Sequence, residues 1–145
     1  MHPLGAADIR GNWATLLVPV NPDESLNFSQ LETEIDQIIS MNVDGIYSNG
    51  TAGEFYNQTE DEFDRINRLL AEKCNKAGVS FQIGCSHMSP VISLDRVRRA
   101  IPLGPGAVQV ILPDWFPATL VESIDFLRRV GEVAHPLGLV LYNPP

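Results

Sequence analysis

The chain has 145 residues, 44% of them apolar, and a net charge of −8 from 10 basic and 18 acidic residues. That length suits one domain burying roughly two-thirds of its unfolded surface, and an acidic chain whose only lysines are Lys73 and Lys76 has no basic stripe for nucleic acid or anionic membranes. No apolar run reaches the roughly 18 residues of a membrane span, residues 1–11 lack a leader pattern, and Cys74 and Cys85 are too few for a disulfide framework or a zinc cluster, so no metal site and a reduced, cytoplasmic setting are expected.

Residues 1–12 read as a tail, and residues 13–20 (WATLLVPV) as a first strand, apolar enough to be covered on both faces. Ser29 and Glu32 predict a capping box for a first helix with the stripe Leu31, Ile35, Ile38 and Ile39, stopping near Met41 and Asn42. Residues 43–47 (VDGIY) form a second strand that breaks into Asn49-Gly50-Thr51-Ala52-Gly53-Glu54. Thr59 and Glu62 make a second capping box, Phe63, Ile66, Leu70 and Cys74 the buried stripe of a long helix, and Gly78 its stop. Residues 79–83 are a third strand running into Gly84-Cys85-Ser86-His87. Ser89 and Pro90 open a third helix along Ile92, Val97, Ala100 and Ile101 to Pro102. Residues 107–112 are a fourth strand. After a loop at 113–117, Thr119 and Glu122 cap a fourth helix along Leu120, Ile124, Leu127 and Ala134, closed by Pro136 and Gly138, and residues 139–142 are a fifth strand.

Strands thus begin near residues 13, 43, 79, 107 and 139. This α/β rhythm suits a doubly wound sheet or a (β/α)8 barrel of roughly 250 residues. Length favours the former. A doubly wound domain, however, carries a helix after its fifth strand, and no helical pattern follows residue 142. The expectation is a parallel TIM-type barrel of which residues 1–145 supply the N-terminal part of one domain. They would hold five strands in sequential order and four outer helices, ending after strand five. Two doubly wound sites fail on their own residues. A receiver needs an aspartate ending strand three and a lysine ending strand five, where this chain has Gly84-Cys85 and Tyr142, and residues 22–25 (PDES) are no mononucleotide loop.

The turn after strand two is the leading candidate site. Glycines at 50 and 53 permit positive φ, so successive N–H groups could converge on one anion, with the Thr51 hydroxyl between them; a tight turn without a ligand is the plainer reading. Glu54 is a base or, more readily, an acceptor of loop N–H groups that fixes the turn. Cys85 and His87 invite a thiolate–imidazole reading, against which stands a small buried cysteine beside a loop histidine. Tyr142 is a phenol at the carboxyl end of a barrel strand, either catalytic or a rim aromatic.

Gly50-Thr51-Ala52-Gly53-Glu54 after an apolar strand resembles the signature of the dihydrodipicolinate synthase and N-acetylneuraminate lyase family. Val18-Pro19, Gly84, Leu112-Pro113 and Tyr142-Asn143 with Pro145 fall at its further landmarks. The resemblance implies an eight-stranded barrel, usually a homo-oligomer (dimer or tetramer), acting as a class I lyase or aldolase on pyruvate or a related 2-oxo acid. No cofactor is implied, because a strand-six lysine supplies the Schiff base. Thr51 and the backbone of Thr51 and Ala52 would hold the carboxylate, and Tyr142 would pass protons during carbinolamine and C–C chemistry. Ala52 replaces the second hydroxyl residue of the signature. Asp114-Trp115-Phe116 stands where the synthases have a tyrosine pair, with Trp115 at the tyrosine contributed across a dimer interface. Both changes weigh against 4-hydroxy-tetrahydrodipicolinate synthase activity and towards another 2-oxo acid lyase. Strand six lies beyond these residues and neither Lys73 nor Lys76 can stand in for its lysine. A half barrel without catalysis is therefore the alternative of a different class.

Overall fold

A computed structural model describes residues 2–113 and 116–142. Five strands alternate with four helices: β1 (Trp13–Thr15), α1 (Phe28–Ser40), β2 (Gly45–Ser48), α2 (Glu60–Ala77), β3 (Ser80–Gly84), α3 (Pro90–Ala100), β4 (Ala107–Val110), α4 (Leu120–Ala134) and β5 (Gly138–Leu141). All pairings are parallel and the strand order is β1-β2-β3-β4-β5. Sequential order rules out the doubly wound sheet, in which strand one lies between two and three. The chain holds the first five strands and four helices of a (β/α)8 barrel.

One face of the sheet forms the core. Ile46, Phe81, Ile83, Val108 and Val110 pack beneath Leu31 and Ile35 of α1, Phe63, Ile66 and Leu70 of α2, Leu94 and Val97 of α3, and Phe126 and Val130 of α4. Helices α1, α2 and α4 begin where a short polar side chain satisfies a first N–H group, whereas Ser89 at the start of α3 makes no such bond and Pro90 sets the first turn instead. Thr59 and Glu62 form a reciprocal capping box, as do Thr119 and Glu122, and Gly78 closes α2 at φ 70° with its N–H on the Cys74 carbonyl.

Three expectations are corrected. β1 stops at Thr15 instead of residue 20, because Leu17 donates its N–H to the Glu34 carboxylate on α1 and Pro19 has none to give. Asn27, not Ser29, caps α1: its Oδ1 accepts the Gln30 N–H at 2.9 Å, and its amide is tied to Asn21 at 3.0 Å. In α4, Leu120 and Ile124 are 75% and 57% exposed, and the buried stripe is Phe126, Val130 and Ala134. The Leu120 side of α4 continues to Gly131, where a Cβ would stand 4.0 Å from Leu139 of β5. Leu139 and Leu141 are themselves exposed. Among the described residues, nothing covers this apolar face.

Candidate active site

Every strand points the same way, so the turn after β2 and the end of β5 lie at one end of the sheet. β2 finishes in a buried polar knot. Ser48 donates its hydroxyl to Asn67 Oδ1 at 2.6 Å, and Asn49 Nδ2 donates to Asn67 Oδ1 and to the Gly84 carbonyl, each at 3.2 Å. Strands β2 and β3 approach so closely here that a Cβ on Gly84 would lie 2.5 Å from the Asn49 carbonyl oxygen.

The turn solves its geometry differently from the expectation. Positive φ falls on Asn49 (53°) and Glu54 (52°), which flank the turn, while Gly50 is extended at φ −77°. Asparagine enters the left-handed region more readily than most residues, and here its amide is held by distant partners, Asn67 and the Gly84 carbonyl. The glycines serve close approach instead: a Cβ on Gly53 would stand 2.8 Å from the Leu16 carbonyl, and one on Gly50 2.9 Å from the Tyr47 ring. Thr51–Gly53 make a single 3-10 turn, with Gly53 N–H on the Gly50 carbonyl at 3.0 Å and Glu54 N–H on that of Thr51 at 3.1 Å. Thr51 and Ala52 are exposed, and their N–H groups have no acceptor among the described residues. Those are the orphan donors of a helical first turn.

Gln58 fastens the turn from below, donating Nε2 to the Gly53 carbonyl at 2.8 Å. Glu54 accepts the side-chain amide of Asn57 at 2.9 Å, a side-chain tie where loop N–H groups were expected. Beside it lies a cleft of about 460 Å³ walled by Glu24, Glu54 and Glu62. Three carboxylates suit no anion, which leaves the open Thr51–Ala52 side as the face that can receive one.

Tyr142 follows β5, with its N–H on the Val110 carbonyl at 2.9 Å and its side chain 46% exposed. Two strands separate it from β2, so the two candidate groups sit three strand spacings apart, roughly 15 Å along the sheet. They share an end and do not touch. Asp114, Trp115, Asn143 and Pro145 lie outside the described residues.

The thiolate–imidazole reading fails. Cys85 is fully buried and burial pushes its thiol far up, so it stays protonated. His87 turns away to accept the Ser89 N–H on Nδ1 at 2.9 Å, and burial, aided by the Arg96 charge, keeps its imidazole below the ordinary value. Lys73 is no free amine either. Glu32 and Asp36, each 2.9 Å from Nζ, hold its pKa above the ordinary lysine value.

Sequence reasoning missed two features. Thr15, Tyr47 and Gln82 are register partners across β1–β3, on the face opposite the core residues Ile46 and Phe81. The Thr15 hydroxyl oxygen and Gln82 Oε1 are buried there without a partner among the described residues. The polar residues at alternate positions 80 and 82 could have signalled that inner face. Arg96 is the other: its side chain is 1% exposed inside α3, and nothing in residues 95–99 (DRVRR) distinguishes it from a solvated charge run.

Comparison with known proteins places these features in a wider set. Residues 8–145 match the dihydrodipicolinate synthetase family. The N-acetylneuraminate lyases of Enterobacter sp. (strain 638) and Escherichia coli O157:H7 are each 28% identical over 141 residues, covering 97% of this chain and 47% of theirs. CdNal from Clostridium difficile, solved with mannosamine, superposes with a TM-score of 0.88 at 20% identity, covering 94% of this chain and 47% of that one. YagE of E. coli K12, of the dihydrodipicolinic acid synthase family and solved with pyruvate, superposes at 0.87 with 23% identity, covering 94% and 45%. The chain spans about half the length of the curated relatives it matches.

Proposed function

The chain belongs to the dihydrodipicolinate synthetase family, a family of aldolase-type lyases, and from that premise we propose that it forms the carboxylate-holding and proton-relaying half of a lyase acting on pyruvate or a related 2-oxo acid. The observation that carries this reading is the exposed pair of unpaired N–H groups at Thr51 and Ala52, beside the Thr51 hydroxyl, at the carboxyl end of a barrel strand. Two backbone donors and one hydroxyl suit the two oxygens of a carboxylate, each such bond contributing about 1.5–3 kcal/mol. YagE was solved with pyruvate, an acid of the size this turn would accept.

In this reading the ketone carbon of the held acid is attacked by a lysine amine from the sixth strand. The carbinolamine must then lose its hydroxyl as water, and the Tyr142 phenol gives and takes the protons of that exchange. A phenol suits the task because it donates when neutral and accepts when ionised. Ala52 in place of a second hydroxyl residue leaves fewer donors on the carboxylate, and Trp115 cannot relay a proton, because an indole N–H only donates and cannot accept in return. Both favour an aldol lyase over 4-hydroxy-tetrahydrodipicolinate synthase activity.

One observation favours the second reading, that these 145 residues alone are not catalytic: Lys73 is bound to two carboxylates, and its only companion, Lys76, lies on the same helix. Trapping separates the cases. Incubated with pyruvate and borohydride, the 145-residue chain is expected to gain no covalent adduct, whereas a version continued through strand six gains one. A specific adduct on Lys73 would overturn this assignment of the amine.

A further inference from the structure

Arg96 is a charge held out of water, and a buried charge persists only where its hydrogen bonds are met. Its Nε and Nη2 donate to Glu60 at 3.0 and 2.7 Å. Its Nη1 donates to the Ser86 carbonyl at 2.7 Å and, at 3.4 Å, to that of Phe55. The guanidinium also lies 4.8 Å from the centre of the Phe63 ring. Phe55 is the first residue after the turn that ends at Glu54, and Ser86 is the second after β3. The Ser86 hydroxyl accepts the Ile111 N–H at 3.1 Å, just past β4. One side chain of α3 thus holds the exit of the Thr51 turn against the ends of β3 and β4.

Arg99 provides the contrast. It pairs with the same Glu60, and with Asp64 and Asp95, and stacks near the same ring. Among the described residues, the one carbonyl it meets is that of Glu60, the first residue of α2. Arg99 ties helix to helix; Arg96 ties helix to turn.

We propose that Arg96 is a positioning residue for the Thr51–Ala52 turn, setting the direction of its two free N–H groups through the carbonyls of Phe55 and Ser86. This rests on the reading of that turn as the carboxylate site. A three-residue turn has little stiffness of its own, and a misplacement of about 1 Å at a reacting centre costs on the order of a hundredfold. The planar fork of arginine reaches a carboxylate on one edge and two carbonyls on the other. A lysine keeps the charge and loses the fork.

The test uses the version continued through strand six, labelled with nitrogen-15, because the 145-residue chain alone leaves both edges of its sheet unpaired. Hydrogen exchange is read at Gly53 and Glu54, whose N–H groups close the turn, and the shifts of Thr51 and Ala52 are followed as pyruvate is added. Arg96→Lys should speed exchange at Gly53 and Glu54 by about tenfold and raise half-saturating pyruvate by about threefold or more, leaving Val108 of β4 protected. Arg99→Lys should leave the turn and the pyruvate response as they were. Glu60→Gln, which weakens the anchor of the fork and spares its carbonyl bonds, should give an intermediate acceleration, and serves if Arg96→Lys does not fold. Unchanged exchange in both Arg96→Lys and Glu60→Gln, beside a normal pyruvate response, overturns the positioning role alone. Equal effects of Arg96→Lys and Arg99→Lys overturn it too, since a helix staple would then suffice. If Thr51 and Ala52 of the unsubstituted chain ignore pyruvate, the carboxylate reading falls and takes the positioning role with it.

Discussion

Thr51 and Tyr142 divide the proposed chemistry between holding and proton transfer, and substitution should separate the two. In a version continued through strand six, Tyr142→Phe is expected to lower kcat by about 10²–10⁴-fold, the usual worth of a positioned acid–base group, with little change in pyruvate binding. Thr51→Val removes a donor to a charged oxygen, worth about 1.5–3 kcal/mol, and should raise KM for pyruvate by roughly tenfold or more while also slowing turnover. Steady-state kinetics on both variants checks this. Intact turnover in Tyr142→Phe would return that residue to a rim aromatic. Both positions stand out in the sequence as groups just past apolar strands, and the roles proposed for them come with the family resemblance. The conformation of the turn was not legible there. Its left-handed residues are Asn49 and Glu54, and no composition rule selects those two over the neighbouring glycines.

Helices α2 and α3 are joined by a charge cluster that makes stability depend on pH. Burial pushes the Glu60 carboxyl up, but its bonds to Arg96 and Arg99 outweigh that and hold it below its ordinary value of about 4.5. A carboxyl more acidic folded than unfolded contributes stability that is present in full above about pH 4.5 and is lost as the pH falls through the folded value. His87 has the same sign over a higher window: its lowered pKa costs the folded state from about pH 6.5 downwards. Glu34 is the opposite case, raised by burial against the Leu17 N–H, and offsets part of the acid loss. Urea midpoints measured between about pH 7 and pH 3.5 should therefore fall in two stages. Glu60→Gln should shrink the lower stage and, because the Glu60 charge also holds the His87 pKa up, deepen the upper one. An identical profile in that variant would remove Glu60 from the account.

At the scale of the molecule, the sheet is open. β1 pairs only with β2 and β5 only with β4, so each leaves one edge of N–H and C=O groups unpaired among the described residues. Beside the β5 edge lies the uncovered apolar face of Leu120, Ile124, Leu139 and Leu141, and beside β1 are the exposed Leu17 and Val20. On the inner face, the buried oxygens of Thr15 and Gln82 have no partner among the described residues. The 145-residue chain should therefore self-associate or aggregate, and should bind a polypeptide carrying the remaining strands. Sedimentation at low micromolar concentration tests this, with a sharply melting monomer as the contrary result. Ile124→Glu, which places a charge on the uncovered face, should shift the distribution towards monomer.

The order of elements, the two threonine capping boxes, the stripes of α1 and α2 and the family landmarks were set by residues close together in the chain. Capping, helical periodicity and strand length act over one to four neighbours, so they can be read in line. What only the tertiary structure decided involves partners far apart. Arg96 reads as one more charge in a polar run until Glu60, 36 residues earlier, and Phe55, 41 residues earlier, are brought to it. Glu34 takes the Leu17 N–H across 17 residues and so ends β1 early. Leu120 and Ile124 carry the helical period of a core stripe, but the period fixes the spacing of a face and not what covers it. Burial is a property of the neighbour, and for these residues the neighbour is not among those described.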